Sequence, residues 1–210
     1  MTWRVDAITR WGSQCVDEEG EALTLGLIDP NDPAALISRQ PVIDLLAQSE
    51  GGLDQTAVRG VAQSAHLVEV FEFDSGATCW MDWTESPHAD DLVSVVKKAS
   101  AAVRDSGRLL VVAGLVAVGA EDDYDSLPAL GAAMIRLRVD QWLGVGVEAK
   151  ALATQVGLEG SWDGESLWLE NAATAYDYLR GWPNENDLVL ITGHRFGELP
   201  GVLELMGVTR

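Results

Sequence analysis

The sequence predicts an α/β fold: a mostly parallel sheet with helices on both faces, plus a small α+β segment in front of it. Three observations lead there. Residues 109–112 read Leu-Leu-Val-Val, the near-continuous apolar run of a strand buried on both sides. Runs of this kind alternate with helical spacings between residues 90 and 205, which is the rhythm of βα units. Residues 1–65 keep a different rhythm, so the chain divides into segments 1–65 and 66–210.

Taken in order, residues 3–27 alternate in short stretches around the turn Asp17-Glu18-Glu19-Gly20, which fits an antiparallel hairpin or meander. Pro30 and Pro33 mark a loop. Residues 34–48 then place Leu36, Ile37, Val42, Ile43, Leu45 and Leu46 at helical spacing, and Gly51-Gly52 ends that helix. Asp54 caps a second helix running to about residue 63. Strands over 68–73 and 78–82 flank Asp74-Ser75-Gly76, a hairpin signal. Helices are expected over 90–105, 124–137, 148–156, 172–180 and 199–205, and strands over 108–113, 141–145, 166–169 and 188–192. Ligands of open parallel sheets gather beyond the carboxyl ends of the strands, so the loops after residues 82, 113, 145 and 192 are where function is sought.

Composition narrows the partners. In 210 residues, 14 Lys and Arg face 33 Asp and Glu, a net charge of −19. That charge repels phosphate backbones and anionic lipid, which argues against nucleic acid and membrane surfaces. Hydrophobic residues make up 47%, enough for a folded core. Cys15 and Cys79 are far apart and lack metal-ligand spacing, so neither a metal site nor a disulfide framework is expected. The first six residues lack the apolar core of a signal, and no apolar run approaches the ~20 residues of a membrane span. A cytoplasmic protein is the expectation.

Four segments carry a resemblance. Residues 82–89, Asp82-Trp83-Thr84-Glu85-Ser86-Pro87-His88-Ala89, resemble the D-G-A-H-N-P-x-A loop of the Mur and folylpolyglutamate ligases. Residues 110–121, with Ala113-Gly114-Leu115, look like the V-L-G-D-M strand and loop of the D-alanyl-D-alanine-adding branch of the Mur ligases. Residues 139–153 are similar to the D-x-V-x-x-V-G-x-x-A-x-x-L-A stretch of that branch, and residues 187–195 to its D-x-V-L-V-K-G-S-R. The resemblance covers residues 66–206. It implies the Rossmann-like C-terminal domain of the Mur ligase family, with residues 1–65 as a remnant of the family's central domain.

The departures from that pattern matter equally. No G-x-x-x-x-G-K-[S/T] loop occurs in the sequence, so the amides and Lys that cradle phosphates have no counterpart. His66-Leu67-Val68-Glu69 stands where the family has H-R-x-E or G-R-x-E, which removes an Arg that reaches the nucleotide. Glu85 replaces His or Asn, Ser86 replaces Asn or Thr, Leu115 replaces Asp, and Thr192 replaces Lys; Gly114, Gly193 and Arg195 persist. The resembled reaction makes an acyl phosphate from a carboxylate and ATP, then an amide, and needs Mg²⁺ and several cations around the phosphoryl group.

The expectation is therefore a non-catalytic, Mur-ligase-like binding or interaction protein, a pseudoenzyme connected with peptidoglycan synthesis. It has no catalytic residue, metal or cofactor of its own; ATP and Mg²⁺ enter only where a partner supplies the ATPase domain. The alternative is a subunit or fragment of an ATP-dependent amide-bond-forming ligase. Candidate residues for a small anionic ligand are Asp82, Glu85, Ser86, His88, Gly114, Gly193, His194 and Arg195. Glu85 with His88 also reads as a solvated turn beside Pro87, and His194-Arg195 as a surface turn. Strands within 3–27 cannot bury both faces alone, so residues 1–65 are expected to form an interface, in a homodimer or with another protein.

Overall fold

The computed structural model describes residues 68–82, 88–103, 106–114, 123–158, 164–193 and 197–206, with the backbone alone at 123–126 and in five short strands before residue 37. Those strands are β1 (Arg4–Thr9), β2 (Gly12–Val16), β3 (Ala22–Leu25), β4 (Leu27–Asp29) and β5 (Asp32–Leu36). The first three form a separate antiparallel sheet in the order β1-β2-β3, the expected meander. At residues 34–36, however, the chain is strand β5, paired with β4, and not the start of a helix. Cross-strand pairing outweighs the local helical spacing there, and Pro33 fits because β5 is the last strand of its sheet, where a missing N–H costs no ladder bond. The rest of the two helices expected between residues 37 and 63 lies outside the described residues.

From residue 68 onward the order is β6 (Val68–Glu72), β7 (Thr78–Asp82), α1 (Ala89–Ala102), β8 (Leu109–Ala113), α2 (Asp123–Arg136) and β9 (Gln141–Val145). A short 3-10 turn (Val147–Ala149) leads into α3 (Lys150–Gly157), followed by β10 (Glu165–Leu169), α4 (Ala172–Gly181), β11 (Leu188–Thr192) and α5 (Leu199–Leu205). The eight-stranded sheet has the order β10-β9-β8-β11-β7-β6-β4-β5. Strands β10, β9, β8, β11 and β7 are parallel neighbours, and β6, β4 and β5 add to them antiparallel.

This order dictates which face each helix covers. The chain steps outward from β7 through β8 and β9 to β10, then returns to place β11 between β7 and β8. Right-handed crossovers in opposite directions put their helices on opposite faces. Accordingly Leu92, Val96, Leu130, Met134, Leu152 and Val156 of α1, α2 and α3 pack on one side, against Leu109, Val111, Trp142 and Leu190. Ala175, Leu179, Leu199, Val202 and Leu203 of α4 and α5 pack on the other, against Leu110, Val112, Leu143 and Ile191. Strands β8, β9 and β11 are buried along their whole length, which accounts for their mostly apolar residues, with Gln141 and Thr192 as buried polar ends.

The amino ends of β8 and β11 are held by one ion pair. Arg108 Nη2 donates to Asp187 Oδ2 at 2.6 Å, and the Arg108 and Asn184 backbone N–H groups donate to the same carboxylate at 2.9 and 2.8 Å. The guanidinium also stacks 4.0 Å over the Trp182 ring and donates to the Trp182 carbonyl. Burial acts to raise the Asp187 carboxyl, but Arg108 and the two backbone donors outweigh it and hold the group below the usual carboxylate range. The Asp187 side chain is only 3% exposed while that of Arg108 is 40% exposed, so the carboxylate is enclosed and the guanidinium reaches solvent.

Asp187→Ala strands the Arg108 and Asn184 backbone donors, while the guanidinium keeps the Trp182 carbonyl, and is expected to lower stability by about 2 kcal/mol in urea unfolding, within the range for unpaired buried donors. The native Asp187 carboxyl is depressed, so its contribution is complete above the unfolded carboxyl pKa of about 4 and fades as pH falls below it. Asp187→Asn should therefore show a shallower loss of stability than the parent chain over that acid range. Cys79 is fully buried in β7, and burial, followed by the nearby Glu69, pushes its thiol far above the usual thiol range. Alkylation at about pH 8 should leave the Cys79 peptide unmodified in the native chain and modify it only after denaturation, as read by peptide mass mapping.

Candidate functional site

Strand register brings three of the expected loops together. In the ladder Ile191 lies opposite Met81, and Thr192 lies opposite Ala113, so β7, β11 and β8 end side by side at Asp82, Thr192 and Ala113. The Thr192 hydroxyl donates to Asp82 Oδ2 at 2.9 Å, joining residues 110 positions apart. Asp82 is 5% exposed and Thr192 is fully buried, so this bond forms away from solvent. On the other side, the Gly114 N–H donates to the Thr192 carbonyl at 3.0 Å.

Gly114 and Gly193 are required by this arrangement. A Cβ on Gly114 would sit 2.5 Å from the Gly193 carbonyl oxygen and 2.6 Å from Leu199 Cδ1. The contact with the backbone cannot be relieved by a rotamer change. Gly193 itself turns out of β11 with φ 71°, in the left-handed region that favours glycine.

Carboxylates dominate the neighbouring part of the edge. The Glu148 carboxylate, in the turn after β9, lies 2.8 Å from where a Cβ on Gly197 would stand. Glu198 Oε2 accepts from the Ala172 N–H at 3.0 Å, and Asn171 accepts from the Thr174 N–H at 3.0 Å. Two N–H groups in the first turn of α4, those of Ala172 and Thr174, are thus engaged by the protein's own side chains. Lys150 places its ammonium 4.2 Å over the Trp168 ring, and the Trp168 indole N–H donates to the Gly146 carbonyl at 2.8 Å. Among the described residues no group of three or more His, Cys, Asp or Glu is placed to hold a metal ion. Among them, too, no helix is long and apolar enough to cross a membrane.

Of the candidates read from the sequence, Asp82, Gly114 and Gly193 meet at this edge. His88 stands at the start of α1, exposed, with its backbone N–H donating to Asp91 Oδ2 at 3.3 Å, a helix-capping position. Glu85, Ser86, His194 and Arg195 lie outside the described residues. Sequence reading passed over Thr192 as a functional position, and it also passed over Glu148 and Glu198. The signal available for the two glutamates was their place just after Gly146 and Gly197, in turns that follow strands β9 and β11.

No family model matches the sequence, and no curated protein matches it. Solved structures do match. The MurF ligase from Thermotoga maritima, crystallised in complex with ADP, superposes with a TM-score of 0.52 at 15% identity, over 98% of this chain and 44% of its own. MurF from Acinetobacter baumannii gives 0.52 at 15% identity, over 94% of this chain and 42% of its own. The murein peptide ligase from Psychrobacter arcticus 273-4 gives 0.51 at 11% identity, over 99% of this chain and 44% of its own. The chain thus spans less than half the length of these ligases. At such identities the likeness is one of fold, and the fold of this chain is that of a Mur ligase C-terminal domain.

Proposed function

We propose that this chain is a non-catalytic, Mur-ligase-like binding domain acting in the cytoplasm, with a role connected to peptidoglycan synthesis. The observation that supports this most directly is the buried hydrogen bond between Thr192 and Asp82. A neutral hydroxyl stands beside the carboxylate at the end of the central strand, where the resembled motif would bring a Lys. Phosphoryl transfer draws its rate from cations gathered around the phosphate, and the described edge gathers carboxylates. The replacement of the family's Arg by Leu67 acts in the same direction.

In this reading a small carboxylate-bearing ligand sits where the loops after β7, β8 and β11 converge, contacted by Asp82, Glu85, Ser86, His88, Gly114, Gly193, His194 and Arg195. Arg195 supplies the planar fork that suits a carboxylate. Residues 1–65 form a protein interface, in a homodimer or with a second protein.

A second reading is favoured by one observation, the coverage of only 42 to 44% of the matched ligases. Here the chain is a component of an ATP-dependent ligase whose ATPase domain is supplied separately, and ATP and Mg²⁺ bind to that partner. Phosphate release that requires both this chain and a phosphate-loop protein purified with it would favour this reading over the first.

Calorimetric titration of the full chain with ATP·Mg²⁺ is expected to show no binding in the micromolar range; a micromolar Kd overturns the non-catalytic reading. Titration with a murein peptide ending in a free carboxylate tests the ligand site. Arg195→Ala should weaken that binding by about 1.5 to 3 kcal/mol, the range for a hydrogen bond to a charged group. An unchanged affinity would move the site away from this edge.

A further inference from the structure

We propose that the outer edge of β10 receives an added strand from another protein, an extended apolar segment with Lys or Arg at its ends. This surface is distinct from the carboxyl-end site and from residues 1–65.

Strand β10 closes the sheet order at one side, and among the described residues only β9 pairs with it. Its five residues run in unbroken register from Glu165 to Leu169 opposite Gln141 to Val145. The Glu165 N–H donates to the Asp140 carbonyl, and the Leu169 carbonyl accepts from the Gly146 N–H. Backbone groups alternate along a strand, so residues 165, 167 and 169 point theirs toward β9. Those of Ser166 and Trp168 point outward, as a template for a further strand.

Exposed edges are ordinarily blunted by Pro, Lys or a bulge, and β10 contains none of these. Leu167, Trp168 and Leu169 are instead only half-buried, unlike the fully buried strands β8, β9 and β11. An added strand would complete their burial on both faces: Leu167 and Leu169 flank the α4 and α5 layer, and Trp168 the α1 to α3 layer.

Charge selects the occupant. Exposed Glu165 and Glu170 bracket the apolar stretch, in a chain of net charge −19. A second copy would bring its own net charge of −19, with its own Glu165 and Glu170, to the same seam. Like charges on neighbouring strands oppose pairing, whereas Lys or Arg at the ends of an incoming strand would favour it. Main-chain bonds would supply affinity and the flanking charges selectivity, as in other strand-addition complexes.

The test uses the full chain, labelled with ¹⁵N, and two synthetic peptides with the same alternating Val-Thr core, one with Lys at both ends and one with Glu. The Lys-ended peptide is expected to shift the amide signals of Ser166 and Trp168 and slow their hydrogen exchange. The Glu-ended peptide should bind about tenfold more weakly, and the double variant Glu165→Lys, Glu170→Lys should reverse the preference. Equal binding of both peptides, or binding of neither at millimolar concentration, overturns the proposal. It is equally overturned if the Ser166 and Trp168 amides are already protected without peptide. Protection independent of dilution would mean the chain covers its own edge, and protection lost on dilution would mean a second copy does.

Discussion

The placement of β11 between β7 and β8 organises the molecule. All five of its residues are buried, and it bonds to a parallel neighbour on each side. Each of its ends carries a polar contact between side chains far apart in sequence. Before the strand, Asp187 gathers Arg108 and the Asn184 N–H; at its end, the Thr192 hydroxyl meets Asp82. Because a strand interior is polar only along its backbone, these two end contacts fix where the strand stops and what the adjoining loops approach. The direction of the chain returning to β11 also decides that α4 lies opposite α1, α2 and α3.

Much of this was legible from local pattern. The strands over 109–113, 141–145 and 188–192 follow from their apolar runs, and the helices from residue 89 onward follow from their spacing, with boundaries shifted by up to three residues. Residues 34–36 were misread because helical spacing is a local signal, and pairing with β4 is not. The Asp82 and Thr192 contact was illegible for the same reason: nothing in either residue's neighbourhood announces a partner 110 positions away. Gly114 was picked out through a motif, yet its physical reason is the carbonyl of Gly193 passing where a Cβ would be. That reason appears only once both loops are placed.

The carboxyl edge differs in chemistry from what an anion-binding Rossmann-like sheet offers. Such sheets present free helix N–H groups beside glycine loops. Here glycine turns are present, but Glu198 and Asn171 occupy the first donors of α4. The described part of the edge carries the carboxylates of Asp82, Glu148 and Glu198 beside those turns.

The position of β11 in the sequence has a consequence for synthesis. A strand that is central in space leaves the ribosome only after β7, β8, β9 and β10. Until residue 192 emerges, β7 and β8 cannot share their common neighbour, and each keeps an apolar edge unpaired. Such late, non-local closure slows folding and lengthens the time for which nascent edges are exposed to chaperones or to each other. The rate at which residues 170–192 are translated would then set how long those edges stay open.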